Sequence, residues 1–210
     1  MFGRLTRIEG TPAEIEEGVR TFEQNVARTA RDVPGNVGVV LMVNPEEGKG
    51  VGITYWADAK ALEASGEAMT RVRESATQAA GTRVASVDTG EVLSMERSGE
   101  PKTHTFIRLN TLEGKPEQIA AARAAYEKDV LPLLKSLKGF RAATMAANSE
   151  TGQIWVSSVW ETAEDRAASE AKVADLRKST AATAGAPGAK VELFESVHVE
   201  FKVGAAAPTS

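Results

Sequence analysis

The residues best suited to chemistry stand together on one predicted strand, "THTFIRLNTLEG". Because side chains alternate along a strand, His104, Arg108 and Asn110 share one face, whereas Ile107 and Leu109 share the other. An imidazole can act as a base, and an amide with a guanidinium can orient a phenol or hold an enolate or peroxide anion in a dry pocket. We expect helices to cover the purely apolar face. The three polar side chains, our candidate catalytic residues, should then face the space between two sheets.

A structural role for the arginine is the competing interpretation. Arg108, like Arg4 on the first predicted strand, could pair with a buried carboxylate simply to satisfy the interior; the candidates are Glu91, Glu195 and Glu200. The second imidazole, His198, has Glu200 two residues on. That pair could be a base with its orienting carboxylate, or an ion pair on an edge strand.

Aromatic residues at strand ends are the candidates for substrate binding. Trp56 and Trp160 each close a predicted strand immediately before a helix. Their rings could line a cavity beside an aromatic substrate, or they could pack beneath the helix that follows. Tyr55 and Trp155, at neighbouring strand positions, are further candidates for the cavity wall.

Composition excludes several classes of function. The chain has no cysteine and two histidines, and no pair of histidines has ligand spacing, so we expect no metal site and no cofactor. A net charge of −4 gives no reason to expect nucleic acid or an anionic membrane as a partner. No apolar run approaches the ~20 residues of a membrane span, and no secretory signal is seen, so the expected location is cytoplasmic.

The elements that must position these residues occur twice. An offset of 104 residues, as from Arg4 to Arg108, aligns the two halves of the chain without a gap. The matches favour glycine, proline and tryptophan, residue types with strong positional meaning; they include Gly35 with Gly139 and Trp56 with Trp160. A period this long predicts two whole domains rather than a solenoid.

Each copy has the pattern of a split βαβ unit, strand–helix–strand–strand–helix–strand. Thr11 and Glu14 form a capping box with Pro12 at the first helical position, and Asp58 and Thr162 are N-caps of the second helices. Two closing strands are predicted at the end of each copy, at residues 83–87 and 92–96 in the first and 190–194 and 197–202 in the second.

Such a unit covers one face of its sheet with helices and leaves the other face to be buried. The fold class predicted is α+β, with two tandem ferredoxin-like repeats forming an intramolecular dimeric α/β barrel. The repeats are predicted at residues 1–97 and 104–202, joined by a linker at 98–103 and followed by a flexible tail at 203–210. Further self-association of the fused pair is left open.

The pattern of Pro-Gly, an apolar strand and "ITYWADAKALEAS" in the first copy, with "KGFRAATM" and "SSVWETAEDRAAS" in the second, resembles the antibiotic biosynthesis monooxygenase group of dimeric α/β barrels. The resemblance implies a cofactor-independent monooxygenase acting on a small hydrophobic, aromatic or polyketide-like molecule between the sheets. Asn110 matches the first-strand asparagine of haem-degrading relatives, whereas the first copy has Thr6 there. The alternative function is a non-catalytic barrel that binds a small ligand or assembles with itself.

Haem degradation is a distant third interpretation. The resemblance implies that such an enzyme needs a histidine ligand and a second tryptophan on the second helix of a repeat. The corresponding helices contain neither residue type, and Ser65 and Ser169 stand in the place of that tryptophan.

Overall fold

The two repeats run through the same order of elements in the computed structural model, which describes residues 1–202. The tail predicted to be flexible, residues 203–210, lies outside the described residues. The elements of the first repeat are β1 (Phe2–Glu9), α1 (Pro12–Thr21), a first π segment (Phe22–Ala27), α2 (Arg28–Asp32), β2 (Asn36–Asn44), β3 (Lys49–Trp56), α3 (Ala59–Ala64), α4 (Gly66–Ala80) and β4 (Arg83–Arg97).

The second repeat departs from the first mainly in its helices. Its second helix is continuous, whereas α3 and α4 are separate in the first repeat. The elements are β5 (Phe106–Glu113), a 3-10 turn (Pro116–Gln118), α5 (Ile119–Ala125), a second π segment (Tyr126–Val130), α6 (Leu131–Ser136), β6 (Phe140–Ala147), β7 (Gln153–Trp160), α7 (Ala163–Thr183) and β8 (Ala189–Phe201).

Three helices begin at the residues that the sequence indicates. The Thr11 hydroxyl accepts a hydrogen bond from the Glu14 N–H, and the Glu14 carboxylate accepts one from the Thr11 N–H, so the predicted capping box is confirmed. Asp58 accepts a hydrogen bond from a backbone N–H three residues on at 2.8 Å, and Thr162 does the same at 3.1 Å. These caps fix where the chain leaves each sheet.

The first long helix of each repeat is interrupted at the same place by a π segment. The first begins at Phe22 and the second at Tyr126, and these two residues are 104 positions apart. A π turn inserts an extra residue into the helix and is frequent at functional sites. Nothing in the apolar spacing predicts it, because Ile15, Phe22 and Val26 fit an ordinary helix face.

The prediction of two closing strands in each repeat is wrong. β4 has 15 residues and β8 has 13, and each is one continuous strand. In β4 the gap between the two predicted strands contains Gly90. A Cβ there would lie 2.6 Å from the Ala147 carbonyl oxygen and 2.7 Å from the Trp155 ring, so glycine lets two backbones approach closely.

The eight strands are hydrogen-bonded in the order β1-β3-β2-β8-β5-β7-β6-β4 as a closed barrel. The pairs within each repeat are antiparallel; β1 with β3 and β5 with β7 have the same register, with Phe2 opposite Trp56 and Phe106 opposite Trp160. The fold is therefore α+β, two tandem ferredoxin-like repeats in a dimeric α/β barrel, as the sequence predicts.

The chain divides into two compact units whose boundaries differ from those of the sequence repeats, because the last strand of each repeat belongs wholly or partly to the other unit. The first unit contains Met1–Thr89, Pro101–His104 and β8 from Phe194 on, and the second contains Gly90–Glu100 and Thr105–Leu193. Within the first unit β8 pairs with β2, and within the second β4 pairs with β6. Each sheet is completed by the closing strand of the other repeat. The repeat boundaries at 1–97 and 104–202, with the linker at 98–103, stay a prediction.

The core of each unit lies between its sheet and its helices. In the first unit the fully buried residues Ile15, Leu41 and Trp56 belong to one apolar cluster. In the second unit Trp160 and Phe140 pack edge to face with ring centroids 6.1 Å apart. The tryptophans thus stand beneath the helices, in the packing role that was their alternative interpretation.

Candidate functional site

Each unit has a cavity between its own sheet and its own helices. The first has a volume of about 60 Å³ and the second about 40 Å³, counted as the space that the centre of a water-sized sphere can occupy. The two occupy equivalent positions, since many lining residues correspond across the repeats: Arg4 and Arg108, Thr6 and Asn110, Phe22 and Tyr126, Thr54 and Ser158, Arg73 and Arg177.

The predicted orientation of Arg108 and Asn110 is wrong. Both side chains line the second cavity beside Tyr126 and Val173, which belong to the helices of the same unit. The two residues do share one face of β5, as alternation predicts, but this face meets the helices and not the space between two sheets. Leu109, on the opposite face, is 1% exposed, so both faces of β5 are buried and apolarity alone does not tell which one meets the helices.

The second cavity has a bridged pair of arginines at one end. The Arg108 Nη1 donates to the Ser169 hydroxyl at 2.8 Å, and its Nη2 donates to the Arg166 carbonyl at 2.7 Å. The Arg108 Nε lies 3.1 Å from the Glu170 carboxylate, which also accepts hydrogen bonds from both terminal nitrogens of Arg177. One carboxylate therefore serves two guanidiniums. Those bonds from Arg177 hold the pKa of Glu170 below its usual value, and the charge of Arg108 adds to the effect.

Two neutral buried polar atoms of this cavity have no hydrogen-bond partner in the protein. The Asn110 Nδ2 donates to the Val156 carbonyl at 3.1 Å, which leaves Oδ1 as an unused acceptor. The Tyr126 hydroxyl is likewise unpartnered, and its residue is fully buried. Burial raises the pKa of Tyr126, so the phenol stays protonated at neutral pH.

The first cavity has the equivalent pair of arginines, Arg4 and Arg73, but no carboxylate bridges them. The Arg4 Nη1 donates to the Ser65 hydroxyl at 2.8 Å and its Nη2 to the Leu62 carbonyl at 2.7 Å. Arg73 donates to the Thr70 hydroxyl at 3.0 Å. Among the described residues, no carboxylate lies within 4.0 Å of either guanidinium. Burial lowers the pKa of Arg4, and repulsion by Arg73 lowers it further.

His104 does not join Arg108 and Asn110. It precedes β5 with a left-handed backbone, φ 55°, and its side chain is 74% exposed. Its Nδ1 lies 3.0 Å from the Glu195 carboxylate. It lines neither cavity, so the prediction that His104 shares a space with Arg108 and Asn110 is wrong. The competing interpretation, that Arg108 pairs with a carboxylate, agrees with the structure, but the partner is the partly exposed Glu170 and not Glu91, Glu195 or Glu200.

The four aromatic residues predicted to bind substrate line neither cavity. Trp56 and Trp160 are fully buried and donate their indole N–H to Thr54 and Ser158 at 3.0 and 3.1 Å. Each tryptophan thereby holds a hydroxyl residue that does line a cavity. Tyr55 packs on Phe201 with ring centroids 5.3 Å apart, and Trp155 is 5% exposed.

Several residues of the cavities were missed by the sequence interpretation. Tyr126 lines the second cavity and Glu170 lies beside it, and neither was among the predicted site residues. The one available signal was repetition. Ser65 matches Ser169 and Arg73 matches Arg177 across the offset, although polar residues on a helix are seldom required by the fold to be identical.

Among the described residues, no group of three or more histidine, aspartate or glutamate side chains could hold a metal ion. None of the helices in residues 1–202 is long and apolar enough to cross a membrane.

The barrel of two ferredoxin-like repeats places the chain in the class of dimeric α/β-barrel proteins, here with both halves in one polypeptide. Solved structures of similar fold include an anthrone oxidase-like protein, with a TM-score of 0.68 and 13% identity over 100% of this chain and 97% of that one. A candidate monooxygenase from Fusobacterium nucleatum has a TM-score of 0.72 and 13% identity, over 96% of this chain and 94% of that one.

Sequence comparison finds one family model that matches the first repeat. Residues 1–83 match the model of the family "antibiotic biosynthesis monooxygenase". The first repeat is therefore similar to the antibiotic biosynthesis monooxygenase family, and the match ends before the second repeat. It is also 25% identical over 205 residues to the uncharacterized protein Rv2558 of Mycobacterium tuberculosis, a match that covers 97% of this chain and 86% of that protein.

Proposed function

We propose that the protein is a cofactor-independent monooxygenase that oxidises a small, one-ring hydroxyaromatic compound in the cavity of the second unit. The observation that carries the proposal is the pair of unpartnered buried atoms, Asn110 Oδ1 and the Tyr126 hydroxyl. Leaving a buried polar group unpaired costs about 1–3 kcal/mol. A ligand that pairs with both groups recovers that energy on binding.

A phenolic hydroxyl complements these two groups. It can donate to the Asn110 Oδ1, which only accepts, and it can accept from the Tyr126 hydroxyl, which stays protonated. The other walls, among them Leu112, Val130 and Val156, suit an apolar ring. The candidate catalytic residues of the proposal are therefore Asn110 and Tyr126, with Arg108 positioning the wall through Ser169.

The volume favours one ring over three. The 40 Å³ of the second cavity counts only positions of the centre of a water-sized sphere. If this region is compact, extending it by the radius of a water molecule gives roughly 180 Å³ for the ligand itself. Sites for drug-sized ligands are usually about 300–1,000 Å³. The expectation of a polyketide-like substrate is thus weakened, and a substituted phenol or quinol is favoured.

The chemistry balances without a cofactor. The bound phenol first passes its hydroxyl proton to solvent water, since no lining side chain is a base. The phenolate then delivers electrons to oxygen from its own ring, so a CH₂ group, or a ring CH ortho or para to the hydroxyl, and O₂ yield a carbonyl and water. One oxygen atom enters the product and the other leaves as water. The protein supplies orientation, exclusion of water and a donor for the reduced oxygen species, which Tyr126 can provide.

A non-catalytic binding function is the second candidate. None of the side chains that line the second cavity is a carboxylate or an imidazole. The nearby Glu170 is engaged by two arginines. A site without a ready proton acceptor can hold a phenol without oxidising it.

Oxygen uptake with a panel of one-ring quinols and catechols tests the proposal, with anthrone as the three-ring comparison. Asn110→Thr and Tyr126→Phe are matched variants, because the first repeat carries Thr6 and Phe22 at these places. We expect turnover of a one-ring substrate, one atom of labelled O₂ in the product, and a loss of at least ~10-fold in kcat/KM for each variant.

His104→Ala is the control, since His104 is exposed and lines neither cavity; it should keep full activity. Saturable binding of the same compounds without oxygen uptake would replace the oxygenase by the binding function. Equal turnover in wild type and both matched variants would remove the second cavity from the reaction.

A further inference from the structure

The two cavities differ at one charged position. Glu170, which bridges Arg108 and Arg177 in the second unit, corresponds to Gly66 in the first. Gly66 opens α4 without a positive φ, and a Cβ built there would meet no atom within 4 Å. The first unit therefore keeps both arginines of the bridge and has open space where its carboxylate would stand.

The arginine pair of the first unit is left with unmatched positive charge. Arg4 is 8% exposed and its terminal nitrogens bond only to neutral oxygens, those of Ser65 and Leu62. Arg73 has one neutral hydrogen-bond partner, and the acid whose charge acts on it is the exposed Glu74, its neighbour in the chain. Partly buried charges without a counterion are costly, so the site favours an incoming anion.

We propose that the first cavity binds a small carboxylate with an apolar body, whose carboxylate bridges Arg4 and Arg73 as Glu170 bridges the equivalent arginines. Glu170 serves as the chain's own analogue of that ligand, and its carboxyl chemistry favours a carboxylate over other anions. Its side chain is 44% exposed, so the bridging position lies at the solvent end of the cavity. The body of the ligand then points inward.

The remaining walls accept an apolar body of one ring. Phe22, Leu41 and Met69 line the interior, and Thr82 adds a buried hydroxyl that has no partner in the protein. A cavity of about 60 Å³ by the same measure corresponds to roughly 230 Å³ of molecular space, which suits a benzoate-sized molecule. This site is separate from the second cavity and does not depend on the oxygenase proposal.

Calorimetric titration of the full chain with benzoate, with benzamide as the neutral isostere, tests the inference. We expect one molecule of benzoate per wild-type chain, and at least ~10-fold weaker binding of benzamide. Gly66→Glu restores the internal carboxylate and should abolish benzoate binding, whereas the fold-matched control Gly66→Ala should retain it. Glutamate suits the first turn of a helix, so the variant should fold.

The reciprocal variant makes the test independent of Gly66→Glu. Glu170→Ala keeps a strong helix former in α7 and frees Arg108 and Arg177, so a second benzoate should bind per chain. Circular dichroism melting checks that each variant is folded. The inference is overturned if Gly66→Glu binds benzoate as wild type does, if folded Glu170→Ala gains no second site, or if inorganic phosphate binds more tightly than benzoate.

Discussion

The unpartnered hydroxyl of Tyr126 makes an unusual prediction about stability. Replacing a buried tyrosine by phenylalanine normally loses a hydrogen bond, but here the hydroxyl has no partner in the protein. Removing an unsatisfied buried group relieves a penalty of about 1–3 kcal/mol. The equivalent residue in the first repeat is Phe22, so the smaller ring fits this helix geometry. We therefore expect Tyr126→Phe to raise the free energy of unfolding by about 1–3 kcal/mol, while it weakens the binding of a phenol.

Urea unfolding followed by circular dichroism measures this free energy, and an unchanged m-value would show that the unfolded state is not altered. At this chain length each kcal/mol corresponds to a shift of about 2–4 °C in the melting temperature. Asn110→Thr, which removes the unused amide oxygen together with a donor that is bonded to Val156, should not stabilise to the same degree. If Tyr126→Phe leaves stability unchanged or lowers it, the hydroxyl is satisfied in solution, and the argument for a polar ligand at this place fails.

Three further predictions concern the scaffold. Trp160→Ala should lower the free energy of unfolding by about 3–5 kcal/mol in urea, because the side chain is fully buried. Gly48→Ala should lower it by more than about 1 kcal/mol, since φ is 62° and the new Cβ would lie 2.0 Å from the Gly10 carbonyl oxygen; Gly66→Ala is the unstrained comparison. The lowered pKa of Glu170 means that its ionised form stabilises the fold above pH 4.5, a contribution lost as the pH falls through the lower folded-state pKa. The stability difference between wild type and Glu170→Gln, measured by urea unfolding from pH 7 to pH 3, should therefore shrink with falling pH; a constant difference would contradict the role of the carboxylate charge.

The fold could be predicted from the sequence because its signals are local and occur twice. The capping box at Thr11 and the N-caps at Asp58 and Thr162 specify helix starts through hydrogen bonds within four residues. Because the two copies align without a gap, each element predicted in one copy could be compared with the same element in the other. The continuous β4 could not be predicted, because Gly90 serves a close approach to Trp155, which lies far along the chain.

The candidate site was predicted only in part, for a physical reason. Alternation correctly grouped Arg108 with Asn110, but both faces of the strand are buried, so hydrophobicity did not indicate which face meets the helices. The side chains that complete the site, Tyr126 and Glu170, come from helices, and their contacts with the strand depend on tertiary packing. A π segment at Tyr126 alters the helical phase that any periodicity argument assumes.

Fusion of the two halves allows the two cavities of one chain to differ. In a symmetric homodimer every substitution appears in both subunits, so the two cavities must stay identical. Here several aligned positions have diverged, and three of them are Thr6 against Asn110, Phe22 against Tyr126, and Gly66 against Glu170. Each change affects the hydrogen bonding or charge of a cavity, while the Arg–Ser contact beneath it is kept at 2.8 Å in both units. The second unit has satisfied its arginines internally and presents neutral polar groups, whereas the first presents cations. If exchanging residues 66 and 170 exchanges the ligand preference of the cavities, selectivity lies in these side chains; if it does not, selectivity depends on the scaffold around them.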